Sequence, residues 1–187
     1  MATLFFLLTT VFDLYLMVVL LRVWLQWARA DFYNPLSQFA VKATQPVLAP
    51  MRRVIPSLGG LDLAGVLLAL IVALLKFVVL FSLAAGMAGL NPLMLAMFTV
   101  LSVLKQAGSL LFWVLVVRAV LSWVSQGRSP IDYVLIQLTE PLLAPIRRIL
   151  PALGGLDFSV LVLFLILQAL NVFLSTNSVI GIFWSRL

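Results

Sequence analysis

The sequence predicts an all-α membrane protein with four transmembrane helices arranged as two parallel two-helix repeats. Three observations predict this fold class. First, 64% of the 187 residues are hydrophobic and 10% are charged, with a mean hydropathy of +1.22, whereas soluble domains carry about 25% charged residues. Second, four separate segments are long and apolar enough to span a bilayer. Third, one segment of the first half of the chain returns almost unchanged in the second half.

The repeated segment covers residues 44–62 and 139–157. Thirteen of its nineteen aligned positions are identical, and five of the six differences exchange similar residues. A match of this length indicates a tandem duplication. We therefore expect a first unit over residues 1–90 and a second unit over residues 91–187, and we compare each residue with its counterpart in the other unit.

Each unit contributes two predicted spans, and each span needs about 20 apolar residues. The spans are Leu4–Trp27, Leu63–Met87, Gln106–Val124 and Phe158–Ser175. The N-terminus has no basic region and no small-residue cleavage site, so we expect a retained helix and not a signal peptide. The apolar residues 93–104 are either an interfacial turn of helix or an extension of the third span.

The lysines and arginines predict the orientation of the spans. The two repeated loops hold most of them, namely Arg29, Lys42, Arg52 and Arg53 in the first and Arg128, Arg147 and Arg148 in the third. The middle loop is assigned only Lys105, and the tails hold only Arg186. Positive charge concentrates in cytoplasmic loops, so both repeated loops should face the cytoplasm and both termini the periplasm. Because each unit has two spans, the units share one orientation, which excludes inverted-topology repeats.

Each repeated loop is expected to begin with a short amphipathic helix in the membrane interface. An N-cap residue and a proline at the first helical position open each one, as Asn34-Pro35 and Ser129-Pro130. Asp132 completes a capping box with Ser129. Pro46 and Pro141 are predicted to end these helices, because proline lacks an amide hydrogen and clashes with the preceding turn.

A Pro-x-Arg-Arg-x-x-Pro segment follows, expected as at most one turn of helix, with the arginine pairs Arg52 and Arg53, and Arg147 and Arg148. Two interpretations stay open. In the first, a rigid hairpin holds the arginines at the level of the lipid phosphates. In the second, the four arginines form a paired basic surface that binds lipid headgroups or a partner protein, since guanidinium groups suit phosphate and carboxylate.

Glycine pairs and an aspartate complete each loop. Gly59-Gly60 and Gly154-Gly155 should form tight reversals, and the aspartates should cap the spans that follow, namely Asp62 and Asp157. Arg22 and Arg118 occupy equivalent positions near the cytoplasmic ends of the first and third spans. We expect them to snorkel to the interface or to pair with Asp62 and Asp157.

Asp13 and Lys76 are charged residues predicted to lie deep in the bilayer. Each is fourteen residues from the cytoplasmic edge of its span, a depth of roughly 21 Å at 1.5 Å per residue. An unpaired charge at this depth is costly, so we predict that the two form an ion pair. Ser109 and Asn171 occupy the equivalent positions and should form a neutral hydrogen-bonding pair. The charged pair either fixes the helix register or belongs to a site for an ion or proton.

The composition excludes several chemistries. The chain contains no cysteine and no histidine, which excludes thiol nucleophiles, disulfides and zinc sites of the usual kind. We therefore expect no enzyme activity, no metal and no cofactor. We attribute the net charge of +6 to basic residues at the membrane edges, where they interact with the anionic membrane surface. We therefore expect no direct contact with nucleic acid.

The sequence resembles the YggT family of bacterial inner-membrane proteins, which is related to the YlmG proteins of Gram-positive bacteria, cyanobacteria and plastids. The motif Pro-x-x-x-Pro-x-Arg-Arg-x-x-Pro-x-x-Gly-Gly-x-Asp carries the resemblance, and residues 31–35 and 123–130 are similar to the proteobacterial two-unit branch. The resemblance covers the whole chain. It implies a bacterial inner-membrane location, no established catalytic activity or cofactor, and roles in osmotic or ion tolerance or in organising membrane, division or nucleoid complexes.

Two functions are weighed on these grounds. The leading hypothesis is a non-enzymatic inner-membrane scaffold or accessory protein whose cytoplasmic basic loops engage lipid headgroups or a membrane partner complex. The alternative is a small channel or transporter for osmotic or cation homeostasis, with Asp13 and Lys76 in its path. Four spans are few for a pore, so this alternative requires a homo-oligomer.

Overall fold

The structure is a computed structural model that describes residues 2–85, 91–124, 129–150, 158–176, 180–185 and 187. Within these residues the regular secondary structure is helical. The helices are α1 (Ala2–Trp27), α2 (Pro35–Met51), α3 (Leu63–Ala85), α4 (Pro92–Val124), α5 (Pro130–Ile149), α6 (Ser159–Thr176) and α7 (Ile180–Trp184). The order of a long, a short and a long helix occurs in α1 to α3 and again in α4 to α6.

Helices α1, α3, α4 and α6 are long and apolar enough to cross a membrane, so the chain is a multi-pass membrane protein. They correspond to the four predicted spans. The third is longer than predicted, because residues 93–104 continue it and α4 reaches 33 residues, or about 50 Å. Asn91 begins this helix by accepting a hydrogen bond from the Leu93 amide at 2.9 Å. Lys105 therefore lies inside α4, and its assignment to a loop is wrong.

The predicted N-caps of α2 and α5 are present. The Asn34 side chain accepts a hydrogen bond from the Leu36 amide at 3.0 Å. Ser129 and Asp132 form the capping box, and the Ser129 amide lies 3.1 Å from Asp132 Oδ2. Each cap satisfies amide groups that have no partner within the first turn of a helix.

The prediction that Pro46 and Pro141 end these helices is wrong. Helix α2 continues through Pro46 and Pro50 to Met51, and α5 continues through its two prolines to Ile149. In α2 both prolines lie on the exposed face of the helix. The opposite face is buried through Ala40, Thr44 and Leu48, and this packing holds the helix together despite the lost hydrogen bonds.

One core cluster joins the two halves of the chain. It contains Leu25 of α1, Ala40 of α2, Val114 of α4 and Leu138 of α5. The starts of the two short helices are also bonded to each other, since Asn34 Nδ2 lies 2.6 Å from the Pro130 carbonyl oxygen. Because α2 follows α1 and α5 follows α4, these contacts place the C-terminal ends of α1 and α4 at the same end of the bundle.

The two pairs of long helices pack differently. Helix α3 lies close against α1, where Ala69 and Ala73 are fully buried, and a Cβ atom added at Gly65 would lie 2.6 Å from Val23 Cγ2. Small residues allow this close approach in membranes. Helices α4 and α6 are instead separated over part of their length by a cavity of about 630 Å³. Helix α7, which the sequence did not predict, lines one side of this cavity through Trp184.

Candidate functional site

The first arginine of each predicted pair is bonded within the chain. Arg52 donates from Nη2 to Asp62 Oδ2 and, at 3.0 Å, to Gln26 Oε1. Arg147 Nη1 lies 2.8 and 3.0 Å from the two carboxylate oxygens of Glu140. Two of the four arginines predicted to form a basic surface are therefore already engaged by acidic residues.

The second arginine of each pair is exposed. Arg53 lies in the turn that follows α2, and Arg148 lies in the last turn of α5. No residue that the structure describes accepts a hydrogen bond from either guanidinium group or pairs with it. The expectation of at most one helical turn around these arginines thus fails in the second loop, where Arg147 and Arg148 belong to a helix that begins at Pro130.

The predicted reversal at Gly59 and Gly60 is present. Both glycines have positive φ angles, +60° and +89°, and the flanking Leu58 and Leu61 exchange backbone hydrogen bonds of 2.9 and 3.2 Å. Residues with a Cβ atom rarely adopt these angles. The turn brings Asp62 back to Arg52, and Asp62 is 1% exposed. Asp62 occupies the predicted N-cap position of α3, because its carbonyl accepts the Val66 amide, but its carboxylate binds Arg52.

Arg22 is buried beside this loop without an acidic partner. It is 6% exposed, and its Nε and Nη1 atoms have no hydrogen-bond partner among the described residues. Its guanidinium carbon lies 5.0 Å from the centre of the Phe32 ring, a cation–π contact. The direct bond predicted between Arg22 and Asp62 is absent, because the Asp62 carboxylate binds Arg52, although Asp62 still attracts the charge of Arg22.

Arg118, the counterpart of Arg22, donates from Nη1 to the hydroxyl of Thr139. This bond links α4 to α5 and was not predicted. Asp157, Gly154 and Gly155, which were predicted to cap and reverse the second loop, lie outside the described residues.

The predicted ion pair between Asp13 and Lys76 is present. Lys76 Nζ lies 2.6 Å from Asp13 Oδ1, and Lys76 is 4% exposed. Gln106 of α4 reaches the same place and donates to the backbone carbonyl of Asp13 at 3.2 Å. The pair therefore joins α1 and α3 at the point where α4 contacts them.

A third charge, which the sequence interpretation placed elsewhere, lies in the same layer. Lys105 is repelled by Lys76 and attracted by Asp13. Its Nζ donates to the Trp184 carbonyl at 3.0 Å and lies 5.6 Å from the centre of the Trp184 ring. The layer thus holds two cations and one anion, whereas we expected one of each. The missed signal was the absence of any helix breaker between Pro92 and Lys105.

Ser109 and Asn171 line the cavity between α4 and α6. They do not form the predicted hydrogen bond with each other. Asn171 Oδ1 instead accepts a hydrogen bond of 2.8 Å from Trp184 Nε1. Helix α7 supplies this partner, and it packs closely enough that a Cβ atom at Gly181 would lie 2.4 Å from the Ser175 carbonyl oxygen.

Comparison with known proteins identifies the family. The CCB3/YggT family model matches the chain at residues 1–83 and 97–178. The chain belongs to the CCB3/YggT family. The protein named YggT in Escherichia coli K12 is 55% identical over 171 residues, covering 91% of this chain and 88% of its own.

Two further proteins are similar over most of the chain. A Vibrio alginolyticus protein described by its position in the 3′ region of proC is 60% identical over 182 residues, or 97% of each chain. A Haemophilus influenzae protein is 46% identical over 165 residues, covering 88% of this chain and 87% of its own. No solved structure matches the chain.

Proposed function

We propose that the protein is a non-enzymatic scaffold or accessory protein of the bacterial inner membrane, which engages lipid headgroups or a membrane partner through Arg53 and Arg148. The observation that carries this proposal is that the two arginines of each pair have different surroundings. Arg52 and Arg147 are bonded to acidic residues, whereas Arg53 and Arg148 are exposed. A loop that only anchored charge at the membrane surface would not need to hold one arginine in place beside another that no described residue binds.

The proposal includes the two-unit organisation, with units at residues 1–90 and 91–187. The family model supports it by matching the chain in two ranges, 1–83 and 97–178. Both repeated loops are proposed to face the cytoplasm and both termini the periplasm. With Lys105 inside α4, residues 86–91 between α3 and α4 hold no lysine or arginine, which strengthens the charge bias behind this orientation.

Substitution of Arg53 and Arg148 by glutamine tests the proposal. We expect the double variant to insert normally and to keep its melting temperature, because neither guanidinium is bonded within the described chain. Recovery of phosphatidylglycerol and cardiolipin with the purified protein, or of a crosslinked membrane partner, should fall by about tenfold, as for the loss of charge-assisted hydrogen bonds. Native mass spectrometry measures the lipid, and crosslinking in membranes captures the partner.

The matched control is Arg29→Gln with Arg147→Gln, which removes the same charge from the same two loops. If attraction to the bilayer were unspecific, both double variants would lose lipid equally. Equal losses, or unchanged recovery of both lipid and partner in the Arg53 and Arg148 variant, would overturn the proposal.

A second candidate function is a small oligomeric channel or transporter that contributes to osmotic or cation homeostasis. One observation favours it: the Asp13 side chain is 28% exposed although it is paired with Lys76, and Lys105 adds an unbalanced charge to the same layer. Ion flux through proteoliposomes, compared between the native chain and variants of Asp13 and Lys76, tests this function.

A further inference from the structure

A pocket of about 400 Å³ opens between α1 and α2 beside the first arginine loop. Arg22 comes from α1, Lys42 from α2 and Arg52 from the turn after α2. The charged groups that line the pocket are all cations, and its lining consists of Arg22, Phe32, Gln38, Val41, Lys42, Gln45 and Arg52. Three positive charges therefore converge on one space.

One of these cations has no hydrogen-bonded acid among the described residues. Arg52 is bonded to Asp62 and Gln26, but Arg22 presents two buried nitrogen atoms, Nε and Nη1, that no described residue accepts from. Arg22 is more than nine-tenths buried, at 6% exposed. Buried charges in proteins are normally paired, because an isolated charge loses its hydration without compensation. The pocket is thus built to receive an anion from outside the chain.

The second unit shows the alternative solution at the equivalent positions. Glu140 stands where the first unit has Gln45, and it neutralises Arg147. Gln137 stands where the first unit has Lys42. At these two positions the first unit therefore has a neutral amide in place of an acid and a cation in place of an amide. Both differences make the pocket of the first unit more positive than the equivalent place in the second unit.

We propose that this pocket binds a phosphate group, carried by an anionic phospholipid or present as the free ion. Arginine forks bind phosphate oxygens in pairs, Lys42 adds a third charge, and the amide groups of Gln38 and Gln45 offer further donors. Arg22 lies five residues before Trp27, at the end of α1 where the interfacial helix begins. The site goes beyond the proposed function, because it depends on Arg22 and Lys42 and not on Arg53 and Arg148.

The test uses the full chain, purified free of lipid in a neutral detergent, and measures the melting temperature at constant ionic strength. The probes are inorganic phosphate, phosphatidylglycerol, and monoolein as a lipid without phosphate. We expect a saturable rise with phosphatidylglycerol, with phosphate or with both, and none with monoolein. A rise with phosphatidylglycerol alone identifies the headgroup as the ligand, whereas an equal rise with phosphate identifies the free ion.

Three variants locate the site. Arg22→Gln and Lys42→Gln should each weaken binding by about tenfold or more, as for a lost charge-assisted bond. Gln45→Glu copies the acid of the second unit and should abolish the saturable rise. Lys42 and Gln45 are exposed positions, so these two changes leave folding intact even if Arg22→Gln does not.

Arg29→Gln is the matched control, because it removes an exposed charge from the same loop outside the pocket lining and should leave the binding midpoint unchanged. The Lys42→Gln variant separates this proposal from the proposed function, because it changes the pocket and leaves Arg53 and Arg148 in place. The pocket proposal is overturned if neither phosphate probe gives a saturable rise. It is also overturned if the Lys42→Gln and Gln45→Glu variants bind as the native chain does.

Discussion

At the scale of single residues, the charges in the membrane layer determine which substitutions are tolerated. Asp13 is the one acid in a layer with two cations, Lys76 and Lys105. Removing Asp13 leaves both lysines without an acidic partner, whereas removing Lys76 leaves Asp13 with Lys105 nearby. The two members of the ion pair are therefore not equivalent, although they lie at equal predicted depth.

The structure predicts that Asp13→Leu destabilises the protein more than Lys76→Met. Asp13→Leu should lower the free energy of unfolding by roughly 3–5 kcal/mol, because it leaves an uncompensated buried charge. Lys76→Met should cost less. The double change Asp13→Ser with Lys76→Asn introduces the residues found at positions 109 and 171 and should recover part of the loss, since Lys105 still lacks its acid. Unfolding in mixed micelles, titrated with a denaturing detergent, measures all four proteins.

When Asp13→Leu and Lys76→Met are combined in one chain, simple addition of the two single losses would show that Asp13 and Lys76 are not coupled, contrary to their 2.6 Å contact. Proteoliposome flux of the stable double variant then separates the two candidate functions. Unchanged flux and phenotype make the pair structural. A stable double variant that loses ion flux or osmotic tolerance favours the channel.

At the scale of helices, close approach between α1 and α3 depends on one missing side chain. A Cβ atom at Gly65 would lie 2.6 Å from Val23 Cγ2 and 2.9 Å from Asp62 Oδ2. Both distances are shorter than a carbon atom accepts, so one helix must move or Val23 must change rotamer. The same displacement would disturb Asp62, which holds Arg52.

Gly65→Ala is accordingly expected to lower the free energy of unfolding by about 1–3 kcal/mol. Gly108→Ala in α4 is the matched control, since a Cβ atom there meets nothing within 4 Å and alanine favours the helix. Adding Val23→Ala should restore part of the stability of the Gly65 variant by making room. Thermal unfolding in detergent measures the three variants, and equal effects of the two glycine changes would contradict the packing of α1 against α3.

At the scale of the whole molecule, the hydrogen bonds from the segment before α2 to α5 place both repeated loops at one end of the bundle. Asn34 bonds to Pro130, and the Asp31 amide donates to Gln137 Oε1 at 2.9 Å. Combined with the absence of lysine and arginine from residues 86–91, this arrangement gives a clear expectation for the topology in the membrane.

Reporter fusions after Ser57 and after Ala152 should both be active as cytoplasmic reporters. A fusion after Gly89 should be active only as a periplasmic reporter, because the segment that it follows carries no positive charge. Paired reporters that are active on opposite sides of the membrane provide the internal control. A cytoplasmic signal after Gly89 would contradict the proposed orientation of the entire chain.

The sequence by itself determined the membrane class, the four spans, the helix caps at Asn34 and Ser129, the Gly59-Gly60 reversal and the pairing of Asp13 with Lys76. These features depend on local composition, on hydrophobic length or on the cost of an isolated charge in a bilayer. Each of those is a property of a short segment, or of two positions at equal depth, so no knowledge of the packing was needed.

Only the tertiary structure determined which polar groups contact each other. It assigned Asp62 to Arg52, left Arg22 buried without a hydrogen-bonded acid, put Lys105 beside Lys76, and joined Asn171 to Trp184 of an unpredicted helix. Helix α2 also continues through Pro46, because packing on the opposite face of the helix outweighs the lost hydrogen bond. The physical reason is the same in each case. The sequence offers several possible partners for each polar group, and the distances between packed helices determine which of them it contacts.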